Sequence, residues 1–157
     1  MKDNETPEDI AYKYYNDPTK HWVVLMANTI IDPQFDWPLS YDNFQNYMIN
    51  KYDDITLTYQ AIHHYELHVT TQTSLNPPNT SISTIDYDTY INTPEATYQD
   101  LNLQDGTTVH ITTTTNQVIL YDYEYELNEA KKNIWLLSKD YIDAIQQEHL
   151  DLTKPVS

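Results

Sequence analysis

The sequence predicts an α+β fold, ordered as a short helix pair, a connecting helix, a small antiparallel β region and a closing helix pair. Apolar residues recur at helical spacing near both ends of the chain, and period-two alternation takes over in the middle. Thr6-Pro7 and Asp17-Pro18 mark the two helix starts in the first 40 residues. A chain of 157 residues can bury one sizeable core, so one compact domain or a small domain with an extension is expected.

Thr6 is placed to cap the first helix, with Pro7 at its first position and Asp9 three residues after the cap, where a carboxylate can return a hydrogen bond. Ile10, Ala11, Tyr14 and Tyr15 fall on one face. Asn16 suits a left-handed helix end, and Asp17-Pro18 supplies the next cap and first-turn proline. The buried stripe of the second helix is predicted at Trp22, Val23, Leu25 and Met26, with its end near Asn28. Asp32-Pro33 and Trp37-Pro38 then force turn or extended backbone.

Ser40 can cap a connecting helix from Tyr41 to about Lys51, with Tyr41, Phe44 and Met48 on one stripe. From Ile55 to Val69 the period changes to two, which predicts two strands, around Ile55–Tyr59 and His63–Val69. Thr70 to Ser83 is rich in Thr, Ser and Asn around Pro77-Pro78 and reads as an exposed loop, with short extended pieces near Ile82–Tyr90. Pro94 to Asn102 has no long period and is a loop or a short turn of helix. A hairpin is expected next, from Thr107 to Tyr123, turning near Thr115-Asn116 and burying Ile119, Tyr121 and Tyr123 on its return. Leu127, Ala130, Ile134 and Leu137 restore the helical period, and Ser138 caps a last helix carrying Ile142, Ile145 and His149. The segments are therefore 1–40, 41–54, 55–125, 126–150 and a tail at 151–157.

Composition narrows the function. The formal net charge is −16, and all 8 basic residues are lysine. Arginine is the usual residue for bidentate phosphate and base contacts, so an arginine-free acidic chain argues against nucleic-acid partners, and an acidic membrane surface would repel it. One glycine cannot build a dinucleotide fingerprint, a phosphate loop or a nucleophile elbow. There is no cysteine for a disulfide or a thiolate metal site. No apolar run approaches the ~20 residues that span a bilayer, and no leader pattern opens the sequence. Fifteen tyrosines and three tryptophans serve either core filling or an aromatic contact surface.

Glu5-Thr6-Pro7-x-x-Ile10-Ala11 resembles the opening of a LysM module. Extended through Tyr14-Tyr15-x-Asp17-Pro18-x-x-His21-Trp22, the run Val23 to Met26, Asn28, Asp32-Pro33 and Trp37-Pro38-Leu39, the string resembles the LysM-like segment of the baseplate wedge protein of T-even-type contractile-tailed phages. His63-His64-Tyr65-Glu66 and the string from Tyr121 to Lys132, followed by Ile134 to Leu137 and Tyr141, are similar to later parts of the same family. The resemblance implies a structural subunit of the virion tail baseplate, made in the host cytoplasm. It would clamp wedge subunits together, with other wedge proteins, the central hub or tail tube, and a neighbouring wedge as partners. Nucleic acid, membrane and cofactor are not expected, nor is enzymatic activity.

The same resemblance implies an alternative, a module that binds peptidoglycan or chitin. Asn4 stands where a glycine is expected, Met1 to Asn4 leave almost no residues for a first strand, and Trp37-Pro38-Leu39-Ser40 lacks the usual strand entry, so both walls of a glycan groove are incomplete. A strand lent by another chain would close the open edge. Among metal candidates, His64, Glu66 and His68 project from one face if they lie on a strand, though a solvated strand face explains them equally. Acidic pairs such as Glu8-Asp9, Asp53-Asp54, Asp86 with Asp88, and Asp122 with Glu124 are ordinary in so acidic a chain and mark no hydrolytic dyad. Partner contacts are assigned to Tyr15, Trp22, Trp37, Pro38, Tyr123, Tyr125 and Trp135. Of the tryptophans, Trp22 is expected inside and Trp37 on a loop against a partner.

Overall fold

Thr6 opens α1 (Pro7–Tyr15) with the expected reciprocal capping: its side chain accepts from the Asp9 amide, and the Asp9 carboxylate accepts from the Thr6 amide. Asn16 closes the helix in the left-handed conformation. Asp17 then caps a single 3-10 turn at Pro18–Lys20, which runs straight into α2 (His21–Ala27). In the computed structural model, residues 1–154 are described, apart from the side chain of Phe35. Asp32 caps the short α3 (Pro33–Asp36), and Ser40 precedes α4 (Tyr41–Tyr52).

The chain resolves into two units: Met1–Tyr47 together with the chain from Glu126 onward, and Met48–Tyr125. The first unit holds the hydrophobic core, built from Ile10, Ala11, Tyr15, Val23, Val24, Trp37 and Ile142. Ile142 comes from α8 (Ile142–Thr153), which follows a 3-10 turn at Lys139–Tyr141 capped by Ser138. The apolar stripe of α2 is shifted from expectation: Val23 and Val24 are fully buried, Trp22 and Leu25 half-buried, and Met26 exposed. Seven residues make barely two turns, so one adjacent pair can face the core while the positions beside it reach the rim.

The second unit contains a four-stranded antiparallel sheet of order β2-β1-β4-β3, formed by β1 (Ile62–Thr73), β2 (Asn79–Ile85), β3 (Ala96–Asn102) and β4 (Thr108–Ile119). The α+β expectation with a small antiparallel sheet is met, but the strands lie elsewhere than predicted. Ile55–Thr58 is a helical turn, α5, because Asp54 accepts from the Thr56 amide and starts a helix where alternation predicted a strand. Strands β1 and β2 take most of the expected Thr/Asn-rich loop, since threonine favours the pleat as much as the turn. Tyr87–Asn92 forms a helix, α6, capped by Asp86, and Ala96–Asn102 is a strand instead of a loop.

No turn occurs at Thr115-Asn116. Strand β4 runs through it in register with β1, and the hairpin instead reverses at Asp105-Gly106, where Gly106 has φ of 84°. Tyr121 and Tyr123, expected on the return strand, lie in α7 (Leu120–Ala130). The closing helix also stops at Ala130, so Ile134 to Leu137 lie in neither helix nor strand. Of the tail expected at 151–157, α8 takes residues up to Thr153 and 155–157 lie outside the described residues. No residue of the four strands is fully buried.

Candidate functional site

Two asparagines shape the first unit. Asn28, at the end of α2, donates through Nδ2 to the Val24 carbonyl at 2.7 Å and to the Trp135 carbonyl at 2.9 Å, while its Oδ1 accepts from the Trp135 amide at 2.6 Å. Asn128, buried on α7, treats Leu39 the same way: Oδ1 accepts from the Leu39 amide at 2.7 Å and Nδ2 donates to the Leu39 carbonyl at 2.9 Å. A primary amide matches a peptide group in both donor and acceptor, so each side chain imitates one rung of a β-ladder. The partners are 107 and 89 residues apart in sequence. Tyr15 adds a third tie by donating its hydroxyl to the Leu137 carbonyl at 3.0 Å, and burial raises the Tyr15 phenol above its ordinary range.

Trp135 therefore sits on a backbone fixed from both sides while its indole is 78% exposed. Trp22, expected inside, packs against the core, whereas Trp37, expected on a loop against a partner, is buried in it. Trp37 is only 8% exposed, because its indole N–H finds an acceptor in the Glu5 carbonyl at 2.8 Å and its ring completes the core. Trp22 is half-buried and stacks on His149 at 4.9 Å. Pro38 is buried beside Trp37 in sequence. Tyr15, Trp22 and Trp37 thus come together in one core, with Trp135 clamped at its edge.

Tyr123 and Tyr125 belong to the second unit. Tyr125 is exposed and stacks on Tyr121 at 6.4 Å, and Tyr121 stands 4.3 Å from Tyr59. Tyr123 stacks face to face on His63 at 3.7 Å. His63 is the extra residue of a bulge: Ile62 opposes Ile119, His64 opposes Val118, and His63 has no opposite number in the ladder. Glu124, on the buried side of α7, accepts from Lys51 Nζ at 2.9 Å and from the Tyr52 hydroxyl at 2.7 Å. The Tyr52 phenol is raised by desolvation first and by this carboxylate second.

His64, Glu66 and His68 do share one face of β1. Glu66 bridges the two rings, with Oε1 at 3.1 Å from His64 Nε2 and Oε2 at 2.7 Å from His68 Nε2. The His68 contact, ahead of that from His64, holds the Glu66 carboxyl below its ordinary range. Both carboxylate oxygens are engaged by imidazole, and among the described residues no group of three or more His, Asp or Glu side chains is arranged to hold a metal ion. No helix among the described residues is long and apolar enough to cross a membrane.

Asn28, Asn128 and Glu124 were not singled out from sequence as contact-forming residues. Their signal is a polar residue at i+4 on a helical stripe: Val24 with Asn28, and Leu120, Glu124 and Asn128 in succession. A family model described as Base plate wedge protein 53 matches residues 1–152. Baseplate wedge protein gp53 of Enterobacteria phage T4 is 33% identical over 55 residues, which is 35% of this chain and 28% of that protein. That alignment spans well under two thirds of the relative's length.

Proposed function

This chain belongs to the base plate wedge protein 53 family, and from that membership we propose that it is a structural component of a contractile phage tail baseplate wedge. It clamps wedge subunits to one another and to the central hub or tail tube, and contacts a neighbouring wedge. It resides in the tail baseplate of the virion, is made in the host cytoplasm, and carries no enzymatic activity. The observation that carries the proposal is the family match over residues 1–152. Multivalent clamping is the physical mechanism: once one surface is bound, the effective concentration at the next rises, so modest contacts combine into stable attachment. The acidic surface favours basic partner patches and discourages self-association.

Within the segment 1–40 the helix pair α1–α2 is the LysM-like part in this proposal, acting on protein instead of glycan. Residues 41–54 connect it to the β region at 55–125, and the segment 126–150 returns the chain to the helix pair. Of the aromatic residues assigned to partners, Trp135 and Tyr125 make the contacts directly, as exposed rings on fixed backbone. Tyr15, Trp22, Trp37, Pro38 and Tyr123 act through packing that holds those surfaces in place.

The test is a pull-down from assembled tail material with the purified chain, run beside peptidoglycan sedimentation at matched salt. Capture of wedge, hub or tube proteins without sedimentation is expected, and Trp135→Ala should reduce that capture at least tenfold while leaving thermal unfolding unchanged. Sedimentation with cell-wall polymer and no capture of tail proteins would replace the clamp with a glycan-binding module.

A further inference from the structure

Strand β4 is longer than the strand that covers its outer side. β3 pairs with β4 from Asn102↔Thr108 to Ala96↔Thr114 and ends there. β1, on the other side, continues to Ile119. Two bonds fix which way the β4 backbone points. Thr107 accepts from the Leu103 amide, so its carbonyl faces the β3 side, and Leu120 donates to the Ala61 carbonyl, so its amide faces the β1 side. Backbone groups alternate along a strand, and both anchors give one phase: odd-numbered residues face β3 and even-numbered residues face β1. Thr115 and Gln117 therefore direct their N–H and C=O groups, and Ile119 its N–H, to a side where, among the described residues, no strand lies; the Ile119 carbonyl turns into the first bond of α7.

That edge is bordered instead by a groove of about 620 Å³ lined by Tyr90, Ile91, Thr93, Glu95, Thr115 and Gln117. Helix α6 forms its wall: Tyr90 stacks on Tyr65 of β1 at 4.5 Å and accepts from Gln117 Nε2 at 3.0 Å, which holds the helix end over the sheet. Ile91 on the same wall is exposed. The space is an open groove beside the strand edge, not an enclosed pocket. Unpaired edge groups favour a peptide segment, because an added strand satisfies donor and acceptor together.

Charge selects the occupant. Between Met48 and Tyr125 the chain carries ten Asp and Glu residues against one lysine, Lys51, which is paired with Glu124. Glu95 lies in the groove wall itself. A second copy of this chain would bring the same formal charge of −16 to the contact. The geometry points to Thr115–Ile119 as the acceptor for an extended, lysine- or arginine-bearing segment of another protein, added as a fifth strand along β4. This refines the wedge role by stating how one partner is held, yet it stands on the sheet alone.

The experiment uses the full chain and two synthetic peptides. One alternates Lys and Val over seven residues; the other has the same sequence with N-methyl groups on the alternate amides of one edge. Charge and side chains are identical, and only the backbone donors differ. In the free chain the Gln117 amide should exchange at least 100-fold faster than those of Asn116 and Val118. The unmethylated peptide should slow Gln117 and Ile119 at least tenfold, and methylation should weaken binding at least tenfold. Gln117→Pro, which removes an outward N–H and leaves the β1 ladder bonded, should lose the peptide, whereas Gln117→Ala, which removes the same bond to Tyr90 but keeps the N–H, should retain it. Should the proline variant not fold, Ile91→Lys places a cation on the wall and should also weaken peptide binding. Equal binding of both peptides would reduce the effect to charge attraction and overturn the proposal. So would protection of Gln117 that rises with protein concentration alone, which would identify a second copy on the edge. Failure to capture tail proteins would leave these outcomes untouched, so the two readings fall separately.

Discussion

Replacing Asn28 by alanine removes three hydrogen bonds, at 2.7, 2.9 and 2.6 Å, two of which hold the Trp135 peptide. A neutral hydrogen bond contributes about 0.5 to 1.5 kcal/mol net, so the set contributes roughly 1.5 to 4.5 kcal/mol. Trp135 lies at the surface, where water can take over its backbone groups, which places the loss in the lower part of that range, about 2 to 3 kcal/mol. For a chain of this size that corresponds to a fall in unfolding temperature of about 4 to 12 °C. The local signature is more specific: exchange of the Trp135 amide should accelerate by a similar free energy, while amides of β1 and β4 should be unaffected.

Asn28→Asp separates geometry from mere polarity. The new carboxylate can still accept from the Trp135 amide, but its second oxygen faces the Val24 and Trp135 carbonyls where a donor stood. Repulsion should make it less stable than Asn28→Ala at neutral pH. Protonation restores a donor, so the folded-state pKa of this aspartate is raised above its unfolded value. The recovered stability is then present at low pH and is lost as pH rises through the folded pKa. An Asn28→Asp variant as stable as the parent at neutral pH, or an Asn28→Ala variant within about 0.5 kcal/mol of it, would refute the ladder-rung role of this side chain.

Trp37→Phe keeps most of the packing but deletes the indole donor to Glu5 and should cost about 1 to 2 kcal/mol, against about 3 to 5 kcal/mol for Trp37→Ala; denaturant titration followed by far-UV dichroism distinguishes them. Glu124→Ala deprives Tyr52 and Lys51 of their shared acceptor and should cost about 2 to 4 kcal/mol, whereas Glu124→Gln, which can still accept from Tyr52, should cost about 1 kcal/mol. Because Glu66 is held below its ordinary value near 4.5, its contribution to stability is present above that value and is lost as pH falls through the depressed one. Urea midpoints of the parent should therefore fall more steeply than those of Glu66→Gln as pH drops below 4.5.

The parts legible from sequence are those decided within four residues. Thr6 with Asp9 and Asp17 with Pro18 each specify a helix start through contacts their own neighbours complete, and each forms as expected, whereas Asp32-Pro33, expected as turn or extended backbone, starts the short α3 by the same local capping. Helix α4 also follows from its local stripe. Tyr121 to Glu126 was ambiguous for a physical reason: alternating Tyr and acidic residues satisfy period two, yet Tyr121 and Tyr125 also stack at i and i+4, and the buried pair Glu124 and Asn128 settles the helix. The extension of β4 through Thr115-Asn116 depends on β1, more than 40 residues earlier, and no local pattern contains that partner. Likewise Ile134 and Leu137 keep helical spacing, but the backbone between them is tied by Asn28 and Tyr15, from the opposite end of the chain, and forms no helix. The aromatic assignments divide the same way, since Trp37 is buried by a carbonyl, that of Glu5, which no spacing rule reveals.

The clamps of Asn28 on Trp135 and of Asn128 on Leu39 also impose a schedule on synthesis. A ribosome adding about 5 to 20 residues per second needs roughly 5 to 20 s to pass from the first asparagine to the tryptophan it holds. At the end of that interval α1 and α2 still lack Ile142 for their core, whereas the last strand of the continuous stretch Met48–Tyr125 has been made by Ile119. The nascent chain therefore completes its inner, later-made piece before its outer, earlier-made one. A product terminated before residue 134 would carry every strand of the sheet beside a helix pair that lacks Ile142 and the ties made by Asn28 and Tyr15.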